Sequence, residues 1–149
     1  MTKISWLFVT IITFLFISCS SDDSGNVIQG PVAEKVLGKW YIKSIVEDGK
    51  DLNYTHKCAD EKDYIRFDSQ RRFSGTYNPD CTFNEETSVD YSINSNNNTI
   101  ITNFFDPIIT NQRTYKIIRL TDKELVLKTA YNDFSGEPEV NYVFSYTRQ

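Results

Sequence analysis

One histidine, one methionine, three cysteines, four prolines and six glycines are all that this 149-residue chain holds of the residues that most often announce chemistry or break structure. Each scarcity excludes something. The lone imidazole, His56, leaves a metal site short of ligands: His56-x-Cys58 supplies two, and no second His or third free Cys completes the set. A nucleophilic triad is excluded on similar grounds, because no Gly-x-Ser-x-Gly elbow accompanies His56, which sits in a polar loop and is expected to be solvated. The glycines are scattered over turns, so no phosphate-cradling loop exists. Basic side chains are too few for nucleic acid: 16 against 20 acidic give a net charge of -4, and none cluster among aromatics. The acidic pairs Asp22-Asp23, Glu85-Glu86 and Glu137 with Glu139 lack the flanking spacing of a calcium loop or a glycosidase couple. No catalytic residue, metal or cofactor is therefore expected. A long hydrophobic run is missing too, since the apolar stretch Ile4 to Ile17 is about 14 residues where a spanning helix needs ~20.

Aromatic side chains are what the chain has in abundance. Nine Tyr and ten Phe, in short segments rich in Ile, Val and Thr, favour strands over helices. A hydrophobic share of 40% against 24% charged describes a globular chain, and the length fits one domain. There is no internal repeat and no long amphipathic helix.

The first residues form a targeting segment: Lys3 supplies positive charge, the short apolar run follows, and it ends in Phe16-Ile17-Ser18-Cys19. That ending resembles a bacterial lipobox, with Phe16 where Leu is more usual. The resemblance implies a lipoprotein signal peptide over 1–18 and a mature chain starting at Cys19, lipidated on thiol and amine. Ordinary secretion with cleavage elsewhere, or an uncleaved anchor, are the alternatives. Ser20-Ser21-Asp22-Asp23-Ser24-Gly25 resembles the surface-export signal of Bacteroidetes-type lipoproteins and is equally a solvated tether. Residues 19–35 are read as a lipidated flexible linker, with one helical turn over Val32 to Val36, and 36–149 as the folded domain. The expected location is the outer membrane, anchored through the lipid and facing the cell surface.

Leu37 to Val46 is the first clear strand, with Trp40, Ile42 and Val46 on one face and Lys39, Tyr41 and Lys43 on the other. Turn signals then separate seven more: Lys62 to Asp68, Arg72 to Asn78, Ser88 to Asn94, Thr99 to Phe104, Gln112 to Leu120, Lys123 to Thr129 and Glu139 to Arg148. Eight strands with hairpin-length links predict an all-β fold, an eight-stranded antiparallel up-and-down barrel, the number at which a meander closes and hides its edges. A two-sheet sandwich is the competitor, but it usually needs a long crossing connection. Pairing Phe67 with Phe73 across the second hairpin gives a register sum of 140, against 139 for Cys58 with Cys81. One residue of bulge then brings the two thiols together, and an exported chain should join them in a disulfide.

Gly38-x-Trp40 at the head of the first strand, with the strand count behind it, resembles the lipocalin fold, in which that Trp plugs the closed end of the barrel beneath an Arg from the last strand. Here the Arg is Arg148, which the strand phase also sets on the inward face. The side chains aimed inward are Ile42, Phe67, Phe73, Tyr91, Tyr115, Ile117, Leu125, Leu127, Tyr142 and Phe144. In a larger lipocalin these would line a cup for a small hydrophobic ligand; in a barrel this short they equally serve to fill it. The resulting expectation is a lipid-anchored, non-enzymatic lipocalin-like lipoprotein that binds a small hydrophobic molecule. The rivals are a filled barrel acting as a protein-interaction module through loops such as Thr82 to Thr87 and Phe105 to Asn111, and, last, a hydrolase.

Overall fold

The structure is a computed structural model and describes residues 27–28, 31–105, 110–131 and 139–149. Residues 1–18, Cys19 and the loops 106–109 and 132–138 lie outside the described residues. Along the chain come β1 (Val27–Ile28), α1 (Val32–Val36), β2 (Gly38–Glu47), β3 (Lys50–Asp51), β4 (Tyr64–Phe67), β5 (Arg71–Tyr77), β6 (Phe83–Asn94), β7 (Thr99–Phe105), β8 (Thr110–Leu120), β9 (Glu124–Tyr131) and β10 (Val140–Thr147). Among the described residues no helix is long and apolar enough to cross a membrane.

Eight of these strands close on themselves. Each antiparallel partner from β4 through β10 follows its neighbour in sequence, and β10 returns to β2, where Phe144 lies opposite Ile45 and Tyr146 opposite Ile42. That pairing of first with last is what separates a barrel from a sandwich, because it leaves no long edge of unpaired backbone. β3 adds a short rung to the end of β2, and β1 pairs in parallel with Arg119 and Leu120, beyond the part of β8 that β7 uses. Val27 and Ile28, read in the sequence as tether, thus lie against the barrel.

The β4–β5 hairpin corrects the predicted register. Ile65 lies opposite Ser74, Arg66 opposite Phe73 and Phe67 opposite Arg72, so every pair sums to 139, not 140. The turn is the cause. Asp68 Oδ1 accepts the backbone N–H groups of Gln70 (2.9 Å) and Arg71 (2.7 Å), while Asp68 N–H donates to Arg71 O, which leaves only Ser69 and Gln70 in the loop. These same backbone donors hold the Asp68 carboxyl below its ordinary value. Two consequences follow. Phe73 leaves the interior, where the sequence reading put it, and packs outside with the Arg66 guanidinium 4.2 Å from its ring centroid. Arg72 takes the inward phase in its place.

Cys58 and Cys81 also sum to 139, although they lie beyond the last pair of this ladder, Tyr64 with Gly75; their Cα atoms are 4.9 Å apart and the sulfurs are bonded. On the outer wall beside them Tyr64 lies flat over Gly75. A Cβ at position 75 would stand 2.4 Å from that ring, which is why the strand interior carries a glycine there. The Tyr64 hydroxyl donates onward to Glu86 Oε1 at 3.0 Å.

Half of the interior is solid. Trp40, Phe67, Ile100, Ile117, Leu120 and Leu125 are all essentially inaccessible to solvent, with Ile65 and Leu127 only slightly less so. They form one cluster at the end of the barrel where β2 begins, and Val32 and Val36 of α1 close it from below. Ile42, Tyr91, Ile93 and Phe144 are partly buried and pack against it.

Candidate functional site

The closed end fixes the geometry of everything above it. Trp40 Nε1 donates to Val36 O at 2.7 Å, and the Arg148 guanidinium lies 3.9 Å from the centroid of the indole. Arg148 Nη2 donates to Lys35 O at 2.7 Å and also to Leu37 O. Three successive carbonyls at the end of α1, which have no partner within so short a helix, are thereby satisfied by side chains of β2 and the chain's C-terminal end. Gly38 leaves room for this. Its φ of +103° favours glycine, and Arg148 passes 3.7 Å from where its Cβ would be. Burial holds the guanidinium below its ordinary value, with Asp122 opposing.

Toward the other end of the barrel the packing stops. Arg113 and Tyr115 from β8, Thr129 from β9, and Tyr142 and Phe144 from β10 surround a cavity of about 270 Å³. Tyr142 lies opposite Glu47, the last residue of β2, so this cup opens at the end away from Trp40. Alternation positions its walls: residues 113 and 115 share a face, as do 142 and 144, whose rings stack with a centroid separation of 5.9 Å. The Tyr142 hydroxyl donates to Glu47 Oε1 at 3.2 Å, at the rim. Thr129 Oγ1 donates to Thr114 O at 2.9 Å, so the hydroxyl is satisfied within the wall.

Of the ten side chains read as lining a ligand, the structure brings three to the cavity: Tyr115, Tyr142 and Phe144. Phe67, Ile117, Leu125 and Leu127 are sealed in the solid half, Ile42 packs against it, Tyr91 packs against it beside the β4–β5 turn, where its hydroxyl donates to Asp68 O at 2.5 Å, and Phe73 is outside. Tyr91 reaches back to Phe67, edge on, at 5.1 Å.

Two features escaped the sequence reading. Arg72 lies on the inward phase of β5, its guanidinium 5.8 Å from the Tyr115 ring centroid. Burial pushes the Tyr146 phenol up to about 12, against the opposing pull of Arg72, so this hydroxyl stays protonated and neutral. The second feature is the segment between β3 and β4. His56, expected in solvent, is mostly covered: its Nδ1 accepts the Asp63 N–H at 3.0 Å and its ring meets Tyr54 edge on. Asp63 continues the inward phase of Ile65 and Phe67 and is buried. One carboxylate oxygen accepts from Tyr77 N–H at 2.8 Å and the other from the Tyr54 hydroxyl. Burial first, then that bond to Asp63, raises the Tyr54 phenol far above its ordinary value. Each Asp63 oxygen and His56 Nδ1 thus has a donor, and the cluster braces the wall. Among the described residues no three His, Cys, Asp or Glu side chains converge as metal ligands would.

Comparison with known proteins agrees with this geometry. A lipocalin-like protein from Bacteroides uniformis superposes with a TM-score of 0.50 at 14% identity, over 74% of this chain and 96% of that one. An uncharacterized protein from Bacteroides eggerthii gives 0.51 at 18% identity, over 74% and 98%. Bovine odorant binding protein in complex with a selenium-containing odorant gives 0.50 at 12% identity, over 82% and 74%. At such identities these likenesses show a shared fold. No curated protein matches the sequence. The family of lipocalin-like domains, however, matches residues 36–127, from the last residue of α1 into β9, and the chain belongs to that family.

Proposed function

We propose that this protein is a non-catalytic carrier that holds a small, largely apolar molecule in the cup between β8, β9 and β10, and that it works while anchored to the outer membrane by lipid on Cys19. The observation that carries the binding half is the contrast inside one barrel: one end is packed solid, while the other keeps a cavity of about 270 Å³ walled by Tyr115, Tyr142 and Phe144. Apolar walls with a few placed polar groups are the usual make-up of a small-molecule site, here at the lower end of the size range. The bovine relative of the same fold was solved with an odorant bound, which is the behaviour inferred here. The filled-barrel alternative loses support from the cavity.

Native mass spectrometry on protein purified from its own membrane should reveal a co-purifying small molecule, lost when Tyr115 or Phe144 is replaced by a bulkier side chain. Protein that is always ligand-free, and that takes up no apolar compound offered to it, would overturn the carrier reading.

The anchor rests on sequence alone: a short apolar run ending in Ser18-Cys19 and then an acidic, serine-rich tether. Two acyl-type chains on one residue hold a protein firmly to a bilayer where a single chain does not. A Cys19→Ala variant is therefore expected in the soluble fraction after cell breakage, with the wild type in the membrane fraction. Retention of the variant on membranes would sink the anchor.

A further inference from the structure

Lys116 of β8 and Lys128 of β9 stand directly opposite each other on the outer face of the barrel. Both are exposed, and among the described residues neither has a carboxylate within ion-pair reach, although Lys35, Lys43, Arg66, Arg71 and Arg119 all do. Like charges facing each other across a ladder destabilise it, so the pair carries a cost that nothing in the barrel offsets. The chain as a whole is acidic, with a net charge of -4, which makes a positive face the more unusual. Around the pair the surface is uncharged: Thr99 and Val143 continue its row on β7 and β10, and Ile101 and Thr114 form the next row. The acidic side chain on the outer faces of these two strands is Glu124, and Arg119 holds it at 3.1 Å. Exposed acids gather instead at the open end of the barrel, with Asp48, Asp51, Asp60, Glu61 and Asp80 in its links. The N-terminal segment meets the barrel on the same strand as Lys116. β1 pairs with Arg119 and Leu120 beyond the part of β8 that β7 uses, three residues or about 10 Å along the strand from that lysine. From Val27 back to Cys19 are eight residue steps, which fully stretched reach ~28 Å and so keep Cys19 within that distance of β8.

We propose that the outer face of β8 and β9 rests on a lipid surface with anionic head groups, Lys116 and Lys128 lying among the phosphates. The barrel then lies on its side, and the cup opens along the surface. This rests on the lipid anchor at Cys19 and adds the face that the anchored protein turns to the lipid. Phosphate beneath the two ammonium groups supplies the counter-charge that the barrel lacks, and each lysine at such a surface strengthens the contact about fivefold. The acidic open end is repelled by the same head groups, which disfavours standing the barrel on its mouth.

Fluorescence quenching on vesicles tests which face is down. The lipidated protein carries one introduced cysteine, Thr114→Cys on the proposed face or Ser69→Cys in the β4–β5 turn across the barrel, each labelled with a fluorophore; Cys58 and Cys81 are bonded and do not react. The vesicles are phosphatidylcholine with phosphatidylglycerol, part of the head groups bearing a nitroxide quencher. Quenching at position 114 is expected to exceed that at 69 by at least about threefold, and the contrast should shrink on phosphatidylcholine alone. Lys116→Gln with Lys128→Gln should bring the two positions within about 1.5-fold while leaving the melting temperature unchanged or higher, since a repulsive pair is removed. Should that double variant fail to fold, the comparison of the two lipid compositions decides alone. Equal quenching at the two positions, stronger quenching at 69, or a contrast that survives in the folded double variant overturns the inference and leaves the anchor standing. Protein that does not float with the vesicles at all overturns both.

Discussion

Replacing Trp40 with alanine is expected to cost about 3 to 5 kcal/mol of stability, the range for a large aromatic removed from a packed core. The indole has no accessible surface, and it seals the end of the barrel toward which Ile65, Phe67, Leu120 and Leu125 all pack. Its Nε1 also occupies the last carbonyl of α1, so the truncation leaves Val36 O without its donor as well as a hole. Arg148→Ala should cost clearly less, about 1 to 3 kcal/mol, because it removes a cation-π contact and two hydrogen bonds to carbonyls but little buried volume. Urea unfolding of both variants against wild type separates the two contributions. If Trp40→Ala loses under 1 kcal/mol, the closed end is not where the barrel is held. If the two variants lose the same, the arginine strap rather than the buried indole holds it.

Trp40 and Arg148 could be placed from sequence because strands write their geometry at period two, which holds in β10 and in β2 as far as Ile42. Past it the register against β10 slips by one, so Ile45 rather than Val46 shares the face of Trp40 and Ile42. The rule needs burial on one side only, and it fails where that is missing. β6 begins at Phe83, five residues before the expected Ser88. Over that first stretch Phe83, Asn84, Glu86 and Thr87 are exposed, so nothing alternates. The backbone pairs there with β5 all the same, through hydrogen bonds that leave no mark on side-chain choice.

A one-residue error in register exchanges the faces of a whole strand, and that is what hid Arg72. The most conspicuous hydrophobic pair across the second hairpin was Phe67 with Phe73, and aligning it set Phe73 inside and Arg72 outside. A single carboxylate decided otherwise, since Asp68 draws Gln70 and Arg71 into a tight turn and shortens the loop by one residue. The sum of the cysteine numbers, 139, equals that of the ladder and differs from the 140 of the two phenylalanines, although the cysteines lie beyond its last pair. The covalent constraint was the better guide than the hydrophobic one. The place of His56 had no comparable signal, because it depends on contacts with Tyr54 and with the backbone of Asp63 that a polar loop does not announce.

Removing the disulfide, as Cys58→Ala with Cys81→Ala, is expected to cost about 3 kcal/mol. The bridge spans a sequence separation of 23, and in the chain-entropy account a loop of that size gives a contribution of ~3 kcal/mol by restricting the unfolded chain. For a domain of this size the loss corresponds to a fall in melting temperature of roughly 10 °C. A native-state part adds to it. Cys58 is buried, and its sulfur accepts the N–H groups of Glu61 at 2.9 Å and Asp60 at 3.3 Å, so the bridge also holds the segment that carries Tyr54 and His56 to the barrel wall. The two parts separate experimentally. Loss of unfolded-state restriction speeds exchange at the core amides of β7 to β9 that open only by global unfolding, whereas a freed wall segment adds faster local exchange at Asp60, Glu61 and Asp63 beyond that global change. Both effects are expected together, because the carboxylate of Asp63 keeps its own tie to β5 through the Tyr77 N–H and limits how far the segment can open. A double variant within 0.5 kcal/mol of wild type, with unchanged exchange over residues 58–63, would show that the Asp68 turn and the Asp63 carboxylate hold the hairpin register without the bridge.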